Sequence, residues 1–471
     1  MSGLPEGFRV RLGHGVRRRD GGATLVGGMP ARLLYLRPTA QAVLGDEGSF
    51  TVVDRRTGEL ADLLLARGVA DPVVQAEGGI ARLFDTTIVI PVKDRPESLE
   101  RLLGSLPREV AVIVVDDGSV KPTAVGSVTR RHHARLIRSA ISGGPAAARN
   151  RGLREVRTTY VAFVDSDVVA DGDWLETLLA HFDDPRVGLA APRILGLADG
   201  GKSWIARYES ERSSLDLGPR AAAVQPRGWV SYVPSACLVA RVEALGSGFD
   251  ESLQVAEDVD LIWRIGAEGW RVRYEPTAFV RHDHRVEFGA WLARKHFYGT
   301  GAALLAQRHG SLVSPVVVTP WSASIVVAVM AQRRWSLPVA AVVSLAVGAR
   351  LSEKLTQSPR PKRTAAAMTG NGVAAALWQA ARTLTRHWWP LAVVGSFFSK
   401  RIRRATLVAA VAEGVADYVE VRPELDPMRY VLARRLDDLA YGSGLWWGSL
   451  RARSLRALLP SGGKVRVRVD R

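Results

Sequence analysis

The sequence predicts an α/β fold, in which a mostly parallel sheet lies between a small α+β module and a helical tail. Three observations carry that expectation. Over residues 81–290, β-branched runs alternate with amphipathic stretches, the pattern of parallel βαβ units. Over residues 1–80, short strand-like runs are parted by glycine-rich breaks. From Ala290 to the end, 27 Lys and Arg stand against nine Asp and Glu, so the +17 charge of the chain sits almost wholly in residues 291–471.

Size and composition narrow the classes. At 471 residues the chain exceeds one ordinary core, so two or three domains are expected. With 47% hydrophobic and 24% charged residues it is globular rather than disordered. The single cysteine, Cys237, excludes an internal disulfide and a cysteine zinc cage, and it fits a reducing compartment. The opening MSGLPEGFRV lacks an apolar signal-peptide core, so export is not expected.

In residues 1–80, Phe8–Leu12, Val16–Arg19, Ala23–Val26 and Leu33–Leu36 read as strands. PTAQAVL then reads as a helix with Pro38 in its first turn, followed by a strand at Phe50–Val53 and a helix near Gly58–Arg67. This order, and the LRPTAQAVL segment in particular, resembles the winged-helix-like recognition module of peptide-modifying enzymes. The resemblance implies that a peptide is held as an added edge strand. A generic α+β cap is the alternative.

Residues 86–285 follow strand by strand. Thr86–Val92 is a buried type of strand, Pro96–Leu106 a helix, Val110–Val115 a second strand and Ala134–Ile137 a third. Pro145–Val156 reads as a helix, Tyr160–Val169 as the next strand and Asp173–Phe182 as the helix after it.

Chemistry gathers where these strands end. FVDSDV puts Asp165 and Asp167 one residue apart at a strand end, either as two solvated acids or as partners of a hard cation holding a diphosphate. In VVDDGS, Asp117 can accept a hydrogen bond from a base N–H while Gly118 permits the turn. SGGPAAARNRG sets small residues before Arg149, whose guanidinium suits a phosphate. In AEDVDLIWRI, Glu257 and Asp258 fall in the first turn of a helix, where the helix dipole alone favours acids and where Asp258 can also serve as a general base. Beyond it, FVRHDHR offers His282 or His284 as an imidazole ligand.

IPVKDRP, VVDDGS, AAARNRG, FVDSDV, GFDESL, AEDVDLIWRI and VRHDH stand in the order and spacing of family 2 glycosyltransferases, which this stretch of about 200 residues resembles. The resemblance implies a GT-A fold and transfer with inversion at the anomeric carbon. Matched by motif, it implies that Pro91, Asp94, Asp117, Arg149 and Asp165 bind the nucleotide. It implies that Asp165, Asp167 and His282 bind Mn²⁺ or Mg²⁺, that Asp258 is the catalytic base, and that Glu257 and Trp263 meet the acceptor. Asp94 stands where the family often has Asn; both can bond the turn.

In the tail, Leu312–Ala331 is uncharged and long enough for a span, though it holds Pro315 and Pro320, and Trp335–Ala349 is shorter. Gln332-Arg333-Arg334-Trp335 parts them, one residue short of the Q-x-x-R-W signature of processive family members, so no acceptor role is transferred to it. Paired Trp388 and Trp389 precede Lys400-Arg401-Ile402-Arg403-Arg404, which suits an interfacial helix. Helices on an anionic inner leaflet, a spanning hairpin and a soluble cap all remain open. Arg294 and Lys295 are either surface charges or contacts to a leaving diphosphate.

Taken whole, the order of domains is similar to the glycosyltransferases of the mycofactocin system. That implies β-linked glucose placed on a peptide-derived redox cofactor. UDP-glucose is the expected donor, and the missing signal-peptide core with the basic tail points to the cytoplasmic face of the membrane. Two alternatives are a transferase acting on a polyprenyl phosphate or envelope glycan, and a non-catalytic peptide carrier that would tolerate alanine at Asp165 and Asp167. No nucleic-acid partner is expected.

Overall fold

The computed structural model describes residues 3–28, 32–170, 172–197, 203–283 and 287–462. Of the two histidines weighed above, His284 lies outside the described residues. The chain divides into two compact units, residues 1–199 with 212–284, and residues 200–211 with 285–471.

The first unit holds a sheet of β1 (Thr86–Val92), β2 (Ala111–Asp117), β3 (Arg135–Ser139), β4 (Tyr160–Val164), β5 (Val168–Ala170), β6 (Val187–Gly196), β7 (Ala222–Ala223), β8 (Cys237–Arg241) and β9 (Arg271–His282). Its order is β5-β9-β6-β8-β4-β1-β2-β3, with β7 against β9. Strands β4, β1, β2 and β3 run parallel. Antiparallel β8 joins them to β6, which is parallel to β9. Nearly every side chain of β1 and β4 is buried, as expected of strands covered on both faces.

Helices α1 (Pro96–Ser105), α2 (Pro122–Arg131) and α3 (Pro145–Leu153) each start on a proline, whose missing N–H costs nothing in the first turn. Leu99, Leu102 and Leu103 of α1 pack with Ile88, Ile90 and Val114 in the main core. At Gly152 of α3 a Cβ would stand 2.3 Å from Val89 Cγ1, so glycine lets this helix approach the sheet. The expected single strand Tyr160–Val169 is two strands. Val168 N donates to Asp165 O (3.0 Å), and this turn sends β5 away to pair with β9.

The N-terminal module has its own core around Val10, Leu25, Leu44, Leu64 and Val69. One antiparallel sheet sets Arg9–Leu12 between Ser49–Thr51 and Ala70–Pro72; the other orders Arg17–Arg19, Thr24–Gly27 and Arg32–Tyr35. A reciprocal cap of Asp54 and Thr57 starts the helix Arg55–Ala66. The module is not tethered loosely to the sheet. Asp62 pairs with Arg271 (2.6 Å) and Arg186 (3.0 Å), and the connector Ala76–Asp85 lies so close to α4 (Trp174–Ala180) that a Cβ on Gly79 would stand 1.9 Å from Glu176 O.

In the first unit the last helix is α5 (Glu257–Ala267); the second unit contains the helix Trp204–Arg212, then α6 (Phe288–Thr300), α7 (Ala302–His309), α8 (Pro320–Ala331), α9 (Ser336–Lys354), α10 (Pro361–Arg382), α11 (Trp389–Phe398), α12 (Lys400–Val421) and α13 (Pro427–Arg451). Helices α6 and α13 cross backbone to backbone. Built Cβ atoms would fall 2.1 Å from Tyr441 O at Gly299, 1.8 Å from His296 O at Gly444 and 2.4 Å from Thr300 O at Gly448. Buried charges surround the crossing. Lys295 pairs with Glu209 (2.8 Å) and Asp437 (3.2 Å), Arg386 with Asp438 (2.7 Å), and Arg434 with Glu413 (2.9 Å). Lys295 is therefore neither a surface charge nor a phosphate contact, while Arg294 lies over the Tyr298 ring.

Two further expectations for the tail are corrected. Leu312–Ala331 is not one helix, because Val317–Val318 pairs with Ser461–Gly462 and α8 begins only at Pro320. Trp388 and Trp389 do not form an interfacial pair. Trp388 Nε1 donates to Leu458 O (2.8 Å), and the Trp389 ring abuts Gly442.

The crossing makes a test of stability. Gly444→Val should destabilise the protein by about 3 kcal/mol through overpacking of backbone against backbone, measured by urea unfolding. Gly370→Ala, in exposed α10 with nothing near its Cβ, should be neutral or stabilise by about 0.5–1 kcal/mol.

Candidate active site

The parallel register aligns the ends of three strands. Pro91 pairs with Val115, and Phe163 with Val89, so the residues that follow β1, β2 and β4 emerge on one carboxyl edge, where open α/β sheets gather ligands.

Asp94 stands in the left-handed region (φ 54°), which short polar side chains tolerate. Its Oδ1 accepts from Val120 N (2.7 Å) and its own N–H donates to Ser119 Oγ (2.9 Å), so it ties the first loop to the second. Asp117 is buried. Its carboxylate accepts from Ser142 Oγ (2.6 Å), Gly143 N (2.9 Å) and Gly144 N (2.9 Å). Gly118 is required here, with φ 74° and a built Cβ only 2.9 Å from Ser142 N. Asp117 thus fastens the loop that leads into α3, using oxygens that the sequence assigned to a base.

Arg149 of α3 points inward, its side chain 3% exposed. It reaches Asp165 Oδ1 (2.6 Å) and Glu257 Oε1 (3.2 Å) and lies over the Phe249 ring. Burial opposes its charge, but Asp165 and Glu257 outweigh burial and hold its pKa above the ordinary arginine value. The neighbouring Asn150 accepts from Phe249 N (2.8 Å) and donates to Phe249 O (2.8 Å), clamping the chain before α5. Glu257, expected at the acceptor, is instead a buried partner of Arg149. Trp263, also expected there, is buried and donates from Nε1 to Ser231 O (2.7 Å).

Asp258 is the part-buried acid of the first turn of α5. Ala256 before it takes the left-handed conformation (φ 66°), which turns the chain sharply into the helix. Its Oδ1 accepts from Val259 N (2.8 Å) and its Oδ2 from Ser235 N (3.4 Å). Burial, then the charge of Glu257, push its carboxyl up to about 7.

Asp167 and His282 meet through register. Val168 pairs with His282, bringing His282 Nε2 to 3.3 Å from Asp167 Oδ1, and Asp283 N donates to Asp167 O (3.0 Å). Arg95 pairs with the other oxygen, Asp167 Oδ2. Burial alone would raise this carboxyl, but the hydrogen bond and charge of His282, together with Arg95, hold it well below the usual carboxylate range. Among the described residues no three His, Cys, Asp or Glu gather as a complete metal cage. The expected trio is divided, with Asp167 beside His282 and Asp165 turned to Arg149.

Comparison with known proteins supplies the class. The model of Glycosyl transferase family 2 matches residues 87–247. The chain is 42% identical over 467 residues to the pre-mycofactocin glycosyltransferase of Mycobacterium tuberculosis, covering 97% of this chain and 98% of that one. The chain belongs to glycosyltransferase family 2. This glycosyltransferase is also 30% identical, over 42% of its length and 76% of the relative's, to an N-acetylglucosaminyl-diphospho-decaprenol L-rhamnosyltransferase of the same species. Among solved structures, a mannosyltransferase from Pyrobaculum calidifontis in complex with GDP-Man and Mn²⁺ matches with a TM-score of 0.38 and 18% identity, over 75% of this chain and 87% of that one.

Reading the enzyme by sequence missed Arg95, Asn150 and Ser235. Arg95 and Asn150 stand inside the quoted motifs, and a cation following a strand end was a usable signal for Arg95. Ser235 contributes only a backbone N–H, which no side-chain pattern announces. Arg149→Met should strand two acids and cost about 3–5 kcal/mol in urea unfolding. Glu257→Gln, which keeps a partner for Arg149, should cost less.

Proposed function

We propose that this glycosyltransferase moves glucose from UDP-glucose, β-linked and with inversion, onto a peptide-derived acceptor of the mycofactocin type. The full-length identity to the pre-mycofactocin glycosyltransferase carries this reading. The N-terminal module supports it, since Arg32–Tyr35 is the edge of its sheet, a position to which a peptide strand can add. The nucleotide-sugar donor and the buried free thiol of Cys237 suit a cytoplasmic reaction.

In this reading Asp258 accepts the proton of the acceptor hydroxyl as that oxygen forms its bond to the anomeric carbon and the nucleoside diphosphate leaves from the opposite face. A carboxylate with a pKa of about 7 is well matched to that work near neutrality. One base suffices, because inversion needs no covalent sugar intermediate. Arg149 fixes Asp165 and neutralises Glu257, the residue next to Asp258.

A divalent cation fits the donor set. Asp167 and His282 already converge, Asp165 lies on the same turn, and the Arg95 guanidinium on Asp167 marks a place where positive charge is favoured. Asp165, Asp167 and His282 would hold Mn²⁺ or Mg²⁺, which commonly takes one or two carboxylates and completes its shell with substrate phosphate and water. When bound, the ion supplies charge to the leaving diphosphate.

Purified enzyme with UDP-glucose and a peptide-derived acceptor should release UDP and stop on addition of EDTA; no turnover with any nucleotide sugar would overturn the donor assignment. Asp258→Asn should lower transfer by about 10²–10⁴-fold with UDP binding unchanged by calorimetry. Because Asp258 must be ionised to accept a proton, kcat/KM should rise with pH and level off above about 7, with the lower limb absent in the Asn variant. Arg95→Met should tighten Mn²⁺ binding in the absence of nucleotide, read by the Mn²⁺ electron paramagnetic resonance signal. Unchanged affinity would show that Arg95 does not compete for Asp167.

A further inference from the structure

The second unit leaves an unusual amount of apolar side chain in contact with water, and it does so beside a concentrated positive charge. On α9, Leu337, Val342 and Leu345 are exposed; this is the one helix among the described residues long and apolar enough to cross a membrane, with only 6% of its apolar window buried. On α11, Leu391 and Val394 are exposed, and Phe397 and Phe398, at 82% and 87%, project almost entirely into solvent. Soluble surfaces rarely carry contiguous apolar area of this kind without a partner.

The turn between α8 and α9 and the turn between α11 and α12 are held side by side. Gln332, left-handed at the end of α8, donates from Nε2 to Arg401 O (2.8 Å), and Arg404 donates to its Oε1 (3.5 Å). This brings Arg333 and Arg334 of one turn next to Lys400, Arg401, Arg403 and Arg404 of the other, and all six side chains are exposed. Trp335, half exposed, borders the first turn as Phe397 and Phe398 border the second. No acid lies within either turn.

We infer that this paired tip is a docking site for an anionic lipid bilayer, seated on the surface rather than threaded through it. Charge complementarity selects the partner, since six cations beside aromatic side chains match phosphate headgroups above acyl chains. Length excludes a hairpin. Helices α8 and α11, which lead into the two turns, have 12 and 10 residues, roughly 18 and 15 Å at 1.5 Å per residue, against a hydrocarbon core of about 30 Å; only α9, with 19 residues, reaches that length, and its crossing is an outcome that the experiment separates. Phe397, Phe398 and Trp335 enter the interfacial layer, and the arginines and lysine stay at the phosphates. The inference holds whichever acceptor the enzyme uses.

Full-length protein is to be sedimented with vesicles of phosphatidylcholine alone and of phosphatidylcholine with phosphatidylglycerol. Binding only to the anionic vesicles is expected, with release when NaCl rises from about 0.1 to 1 M and the screening length falls from about 10 to 3 Å. Replacing Arg401, Arg403 and Arg404 with Gln should weaken partitioning by about a hundredfold, at roughly fivefold per charge. Phe397→Ser with Phe398→Ser should weaken it independently of salt. Donor hydrolysis by these variants should match the parent, which excludes misfolding as the cause. Equal binding to both vesicle types would overturn the inference, as would retention in 1 M salt and alkaline carbonate, the mark of a spanning α9. Absence of binding, with a dimer in solution that these variants dissociate, would assign the face to a second copy and overturn it as well.

Discussion

One buried cation holds the centre of this enzyme together. Arg149 joins Asp165, which follows β4, to Glu257, which opens α5, so two segments far apart in sequence are fixed by a single guanidinium. A buried ion pair is poor evidence of net stability, because desolvation costs nearly what attraction returns. Its value lies in geometry. Glu257 could not sit buried beside Asp258 without a compensating charge, and without Glu257 the pKa of Asp258 would lose one of the two influences that raise it.

The loops around the site are organised by the same economy of polar groups. Asp94 and Asp117 accept from backbone N–H groups of neighbouring loops, and Asp116 accepts from Ser119 N in its own turn. The carboxyl edge is therefore stiffened before any ligand arrives, which lowers the entropic cost of binding one. Preorganisation is supplied here by side chains that a motif reading credits to the ligand.

Much of this was legible in the sequence. The strand and helix order of residues 86–285 follows from buried β-branched runs, leucine spacing and prolines at helix starts, and the ordered motifs point to the family. Other features were not legible, for physical reasons. The split of Tyr160–Val169 depends on β5 finding β9, a pairing that no local pattern encodes. The inward orientation of Arg149 depends on two acids from distant segments. Lys295 reads as a surface charge until Glu209 and Asp437 are placed around it, and the tryptophan pair reads as interfacial until Gly442 opens a space for it. Periodicity reports which face is apolar; it does not report which surface that face will meet.

The meeting of Asp167 with His282 has a consequence for how the enzyme is made. The parallel half of the sheet, β1 to β4, is complete in the chain by Val164. Asp167 receives its histidine only when β9, emerging much later from the ribosome, inserts between β5 and β6. During synthesis the nascent protein thus holds an acidic turn that stays without its imidazole until residue 282 has been added. The order of synthesis keeps Asp167 and His282 apart until β9 is in place.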